Sequence, residues 1–274
     1  MKNIIKSTAL LSALSSMLII SSYSCSTTEN TAGTSQVETI STNVDGRGLS
    51  IEVDFTKGES HNHPLMAIWL EDKDGKYIET LYVAESIGKG IFQHGDRSKG
   101  FWQPGEVRRP AALPYWGHKR GVIAPDGYYL PTVKDPMPDA VTGPTPAGNF
   151  NLESRSSIQT PRIFNVLLEI NQSWDWNEYW TNNKYPGNVN YMTSSQPSLV
   201  YQATINLDSP VKEYVMKPIG HGHFSGADGS LTTDLSTLTT ALQIAESVKV
   251  TVEAVVRADD FTSPRRSKLT TSRR

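Results

Sequence analysis

Pro64-Leu65-Met66-Ala67-Ile68-Trp69-Leu70 is followed by Glu71-Asp72-Lys73-Asp74-Gly75-Lys76 and then Tyr77-Ile78-Glu79-Thr80-Leu81-Tyr82-Val83. Two β-rich runs flank an Asp-Gly turn, and Gly75 accepts the positive φ that such a turn requires, so the stretch predicts a β-hairpin. Upstream, Leu49 to Phe55 alternates apolar and polar residues strictly, the pattern of a strand with one buried face. Downstream, strand patterns recur at Arg162–Ile170, Ser198–Leu207, Glu213–Met216 and Ser247–Val255. A single helix is expected over Leu235–Glu246, with Asp234 or Ser236 as its N-cap. Strands with turn-rich connections and little helix predict a mainly β fold: an immunoglobulin-like antiparallel β-sandwich over residues 48–256. No internal repeat at a fixed period interrupts that reading.

Residues 88–138 differ from the rest. Phe101-Trp102, Pro110, Pro114-Tyr115-Trp116 and Tyr128-Tyr129 occur there without a sustained period. The expectation is a long irregular insertion whose aromatic side chains pack it down, since connections of this length are functional or disordered.

The two ends carry a different kind of information. Lys2 and Lys6 precede an apolar stretch from Ser7 to Ile20, too short to span a bilayer comfortably. Small residues then lead into Ser22-Tyr23-Ser24-Cys25, and Cys25 is the only cysteine in 274 residues. This order resembles the lipobox of bacterial lipoproteins, although no Leu stands three residues before the cysteine. The resemblance implies cleavage of a signal peptide at residues 1–24, lipid on Cys25, and a protein held at the periplasmic face of a membrane or on the surface of a Gram-negative bacterium. An ordinary cleaved signal followed by a stray cysteine is the alternative. A lone cysteine forms no intramolecular disulfide. Residues 25–47 read as a flexible tether, because Ser26 to Gln36 has no large apolar side chain to offset its ordering entropy. Residues 257–274, with Arg265-Arg266, Lys268 and Arg273-Arg274, read as a disordered basic tail. In an exported protein that tail is a solvated end and not a nucleic-acid contact. The formal net charge of −2 shows no strong electrostatic preference for a partner.

Three groups of residues are candidates for chemistry. Asp139-Ala140-Val141-Thr142-Gly143-Pro144-Thr145 resembles the sequence modified by bacterial flavin transferases, an Asp followed by Ser/Thr-Gly-Ala-Thr. The resemblance implies FMN attached through a phosphoester to the Thr145 hydroxyl, with Asp139, Thr142 and Gly143 as the recognised neighbours. Pro144 stands where the pattern has Ala, and the competing reading is an ordinary turn. Second, His61-Asn62-His63 and His221-Gly222-His223 have the spacing that puts two imidazoles on one face of a strand. Met in space, the pairs would form a four-histidine metal site; apart, they are loop histidines. The third group is Trp174-Asp175-Trp176-Asn177-Glu178-Tyr179-Trp180. Exposed aromatic rings there suit the CH faces of sugars, and a buried loop anchor is the competing reading.

Taken together, Ala67 to Gly75, Thr80-Leu81, Asp139 to Thr145 and Tyr201 resemble a bacterial domain-of-unknown-function family of predicted periplasmic proteins. Its members carry a Trp-x-Glu-Asp-x-x-Gly hairpin followed by an Asp-Ala-Val-Thr-Gly-Ala-Thr segment, and are associated with flavin transferases and PepSY-type membrane proteins. The resemblance covers most of residues 48–256 and implies extracytoplasmic electron transfer, with a membrane redox protein as partner. The chain lacks a Gly-x-Ser-x-Gly elbow, a P-loop and a dinucleotide fingerprint. Glu71-Asp72 falls in a hairpin turn, where exposed charges are expected. An accessory redox module with covalent FMN is therefore the first expectation, a carbohydrate- or protein-binding module the second, and a hydrolase the third.

Overall fold

The computed structural model describes residues 37–253. Cys25, the signal segment, tether residues 25–36 and the basic tail at 257–274 lie outside them. The strands in chain order are β1 (Glu38–Thr42), β2 (Ser50–Lys57), β3 (Leu65–Asp72), β4 (Tyr77–Ala84), β5 (Ile91–Asp96), β6 (Gln103–Glu106) and β7 (Thr142–Gly143). They continue with β8 (Phe150–Arg155), β9 (Ile163–Asn171), β10 (Leu199–Asn206), β11 (Glu213–Val215), β12 (Lys217–His221) and β13 (Ala245–Glu253). Three short helices accompany them: α1 (Glu85–Lys89), α2 (Pro114–Arg120) and α3 (Val189–Ser194).

A five-stranded sheet, β1-β8-β2-β13-β11, faces a six-stranded sheet, β12-β10-β9-β3-β4-β7. Pairing is antiparallel except for β1 with β8 and β4 with β7, which are parallel. The alternation in β2 turns Ile51, Val53 and Phe55 inward, where Phe55 stacks on Phe150 at 4.8 Å between ring centroids. Against them lie Met66, Ile68 and Leu70 of β3 and Phe164, Val166 and Leu168 of β9, all within one buried cluster. The β-sandwich read from the alternation is the fold of the chain.

The six-stranded sheet is covered on its other face as well. Ala67 and Trp69 of β3, Val83 of β4, Leu167 of β9 and Val200 of β10 form a second core with Ile87, Leu113, Trp116 and Leu130. This double covering explains why β3 and β9 are almost wholly buried and read as continuous apolar runs. Residues 88–138 supply most of the cover. They are more regular than the expected loop, since they hold the β5–β6 hairpin and α2.

A buried carboxylate clasps this layer to the sheet. Helix α2 begins after Leu113 with no side-chain cap of its own. Glu169 of β9, fully buried, instead accepts from Tyr115 N at 3.1 Å and Trp116 N at 2.7 Å. These are free amides of the first helical turn, where an anion is favoured. Ser198 Oγ donates to the same carboxylate at 2.5 Å. Trp116 Nε1 also donates to Thr80 Oγ1 at 3.0 Å, and Lys119 Nζ to Gly75 O at 2.8 Å.

The hairpin residues read as a family motif each have a structural task. Trp69 Nε1 donates to Glu71 Oε1 at 2.9 Å, Asp72 Oδ1 accepts from Asp74 N and Lys76 N, and Gly75 sits at φ +79°.

Two boundaries are corrected. The tether was expected to reach residue 47, but Glu38–Thr42 forms β1, because Ile40 and Thr42 point into the sandwich beside β8. The helix expected over Leu235–Glu246 is a single 3-10 turn at Thr240–Gln243. β13 takes the chain from Ala245 onward, which pairs with Lys57, and sheet pairing overrides the helical spacing.

Candidate functional site

Asp139–Val141 forms one 3-10 turn, and Thr142–Gly143 then pairs in parallel with Val83 and Ala84 at the edge of the six-stranded sheet. Gly143 is required there. A Cβ on it would lie 2.8 Å from Tyr82 Cε2 and 3.4 Å from Ile40 Cγ2, so only a bare backbone passes. Directly after it, Tyr82 OH donates to Pro144 O at 2.5 Å. Burial first, then the carboxylates of Glu38 and Glu85, push the Tyr82 hydroxyl far up, so it remains a donor.

These contacts hold Thr145 half-buried in a cleft of about 390 Å³ lined by Glu85, Ser86, Lys89, Ile91, Gln93 and Pro144. That size lies within the roughly 300–1,000 Å³ usual for small-ligand sites. Lys89 is the cation of the cleft. It pairs with Glu85 at 2.8 Å and with Asp139 at 2.9 Å, so the first residue of the sequence pattern is tied to the helix that walls Thr145. Hydrogen bonds to those two carboxylates hold the Lys89 ammonium above its ordinary value. Thr142 packs against α1, where a Cβ at Gly88 would meet its methyl at 2.7 Å.

A phosphoester on Thr145 fits the cleft in surface, and the one cation in its lining is Lys89. Lys89 offers a positive charge, Ser86 and Gln93 offer polar side chains, and Ile91, which is 40% exposed, offers apolar surface to a ring. Glu85 and Asp139 oppose an anion: with Lys89 they sum to −1, so the lysine meets a phosphoester only by exchanging one of these carboxylates for it.

The histidines are not gathered. Among the described residues, no group of three or more His, Cys, Asp and Glu is placed to hold a metal ion, so the four-histidine site is not formed. His61 packs against Phe55 at 5.7 Å, and burial, then Lys57, hold its imidazole below the usual value. His63 lies in the exposed turn before β3 at φ +50°. His221 is buried with Nδ1 2.8 Å from Gly222 O, and His223 Nδ1 accepts from Ser225 N at 3.2 Å. The second pair is committed to its own backbone turn.

The aromatic segment divides. Trp180 is buried, stacks near Phe224 and donates from Nε1 to Thr237 Oγ1 at 3.1 Å. It is a core anchor, which corrects its assignment to a ligand surface. Trp174, Trp176 and Tyr179 remain half-exposed. Tyr179 and Trp180 share a cleft of about 260 Å³ with His221, His223, Phe224 and Asp234, so two candidate groups named separately meet at one end of the sandwich.

Sequence reasoning missed Lys89, Ile91 and Gln93, which line the Thr145 cleft from remote positions, and Glu169. Only Glu169 left a signal: a carboxylate inside the apolar run Val166-Leu167-Leu168-Glu169-Ile170. The chain matches no family model, no curated protein and no solved structure. The resemblance of the hairpin and of Asp139–Thr145 to the periplasmic family therefore rests on those residues themselves.

Proposed function

We propose that the protein is an exported accessory redox module that carries FMN in phosphoester linkage on Thr145. The observation that carries this reading is the Thr145 cleft. The hydroxyl of a transferase-like segment is half-buried beside one lysine, on a backbone held by Gly143 and the Tyr82–Pro144 hydrogen bond. Attachment from a flavin dinucleotide donor would form the Thr145 Oγ1–P bond, break the pyrophosphate bond, and release the nucleoside monophosphate with the hydroxyl proton. The flavin would supply the electron chemistry, and the protein its position and surroundings. Lys89 would exchange the Asp139 carboxylate for the phosphoester, Ile91 would present apolar surface to the ring, and Tyr82 would hold the Pro144 carbonyl in place. Export and a lipid on Cys25 belong to the same proposal, and a membrane redox protein is the partner it implies.

Co-expression with a bacterial flavin transferase tests the reading. Flavin fluorescence should persist in a denaturing gel, with an intact-mass gain of FMN less water, and Thr145→Ala should abolish both. An unmodified wild-type chain beside a transferase that modifies its control substrate would sink it.

A second reading, a glycan- or protein-binding module, is favoured by the exposed rings of Trp174, Trp176 and Tyr179 around one loop. Under it, Trp176→Ala removes binding. Because Trp176 is half-exposed, the same change should leave stability within about 0.5 kcal/mol by thermal melting.

A further inference from the structure

The β5–β6 hairpin stands apart from both sheets as a two-stranded ribbon. Such a ribbon is marginal in water without support. Its root is supported: Val107 N donates to Gly90 O at 3.0 Å, and the Arg109 guanidinium lies 4.6 Å from the Phe92 ring centroid. Its crossing is fixed too, since a Cβ at Gly95 would fall 2.2 Å from Gly105 O, so only glycine allows the two backbones to meet there. At the far end Asp96 ties down the turn by accepting from Ser98 N at 2.8 Å and from Gln103 Nε2. This built support presents Arg97-Ser98-Lys99-Gly100-Phe101-Trp102 to solvent. Phe101 is 60% and Trp102 56% exposed, and Arg97 and Lys99 flank them.

An exposed pair of large aromatics costs hydration free energy unless a partner covers it, and interleaved cations select the partner's charge. Trp and Phe beside Lys and Arg suit the headgroup boundary of an anionic bilayer, where rings enter the apolar side and cations meet phosphate. The position of the hairpin agrees. Ile91 and Gln93 at its root line the Thr145 cleft. The start of the described chain adjoins the same region, because Ile40 and Gly143 approach each other and the Glu38 carboxylate acts on Tyr82. From Val37 back to Cys25 the extended chain reaches at most about 40 Å, at ~3.3–3.6 Å per residue. A lipid there would keep this end of the domain near the membrane.

We propose that the tip Arg97–Trp102 is a membrane-docking element: Phe101 and Trp102 enter the interface of an anionic bilayer while Arg97 and Lys99 contact its phosphates. The proposal rests on the lipid at Cys25 proposed above and not on the flavin.

A depth-sensitive label tests it in the full chain carrying Cys25→Ser, so that Phe101→Cys supplies the only thiol. With an environment-sensitive nitrobenzoxadiazole on position 101, vesicles of phosphatidylcholine and phosphatidylglycerol should raise the emission severalfold and shift it to the blue. Phosphatidylcholine alone should give a weaker response, and Arg97→Glu with Lys99→Glu should remove most of it. The same label on Val211→Cys, on the turn before β11, should stay water-like. A label on position 101 that stays water-like with anionic vesicles would overturn the proposal, including when the chain is bound to them by another part. So would an equal response at position 211. A blue shift in vesicle-free buffer that grows with protein concentration would assign the tip to a second copy of the chain instead.

Discussion

Replacing Glu169 by alanine is expected to lower the melting midpoint of the domain by roughly 6–20 °C, from about 3–5 kcal/mol lost at ~2–4 °C per kcal/mol. The magnitude follows from what the carboxylate satisfies. Tyr115 N and Trp116 N have no other partner at the start of α2, and Ser198 Oγ donates to the same group. Each buried donor left unmade costs about 1–3 kcal/mol, and a small cavity adds to that. The loss should be local before it is global. Trp116 and Leu113 would leave Trp69 and Val83, so hydrogen exchange should rise first in α2 and β4.

The same residue predicts a pH dependence. Burial raises the Glu169 pKa from 4.5 to about 7, against the lowering effect of its three hydrogen bonds. In the unfolded chain the group titrates near its ordinary value. A folded-state value above the unfolded one means stability is full below about pH 4.5 and declines as pH rises through about 7. The decline is bounded at ~3.5 kcal/mol, from about 1.4 kcal/mol per pKa unit over the rise from 4.5 to about 7. Glu169→Gln keeps the shape, loses one acceptor toward the helix, and should remove this part of the slope. Melting midpoints of wild type and Glu169→Gln at pH 5 and pH 8 measure the difference. Parallel pH profiles would show that the carboxylate does not titrate in this window.

The sandwich was legible because one strand face is buried and the other is not. Leu49 to Phe55 and Ser247 to Val255 alternate, and they pair as β2 and β13 with Val53 opposite Val250. Phe150 to Arg155 alternates just as well and forms β8, but it is short and follows a Pro- and Gly-rich stretch, which masks it. The outer layer was not legible. Its helices are too short to show a 3.6-residue period, and α2 depends on a carboxylate fifty-odd positions away rather than on a cap of its own. The continuous apolar run in β9 did carry the message that both faces are covered, although not by what.

The candidate site divides along the same line. Thr145 and Asp139 were singled out because the resemblance to a transferase-modified segment is local in sequence. The cleft around Thr145 was not, since Lys89, Ile91 and Gln93 reach it only after β4 turns into α1 and β5. Histidine spacing misled for the opposite reason. Pairs two residues apart are a local pattern, but a metal site needs four donors brought together, and backbone turns had already claimed His221 and His223.

Gly143→Val is expected to cut flavin incorporation on Thr145 more than tenfold while leaving the domain folded, and it tests how the site is positioned. Glycine at 143 is buried against Tyr82, whose ring edge would lie 2.8 Å from the new Cβ and nearer still to the added methyls. Tyr82 is fully buried and cannot withdraw into solvent, so the β7 segment must leave the edge of β4 instead. Overpacking of this kind costs about 1–3 kcal/mol, a fall of roughly 2–12 °C in the midpoint for a domain of this size. Moving β7 also breaks the Tyr82–Pro144 hydrogen bond, which frees Thr145 from its cleft. Adding Tyr82→Leu should restore part of the midpoint by opening the space, without restoring the lost hydrogen bond. Incorporation should therefore stay low in the double variant while stability recovers. If incorporation and stability instead recover together, the glycine serves packing alone. If Gly143→Val is flavinylated as well as wild type, the transferase reads the segment in a conformation other than the one held against β4.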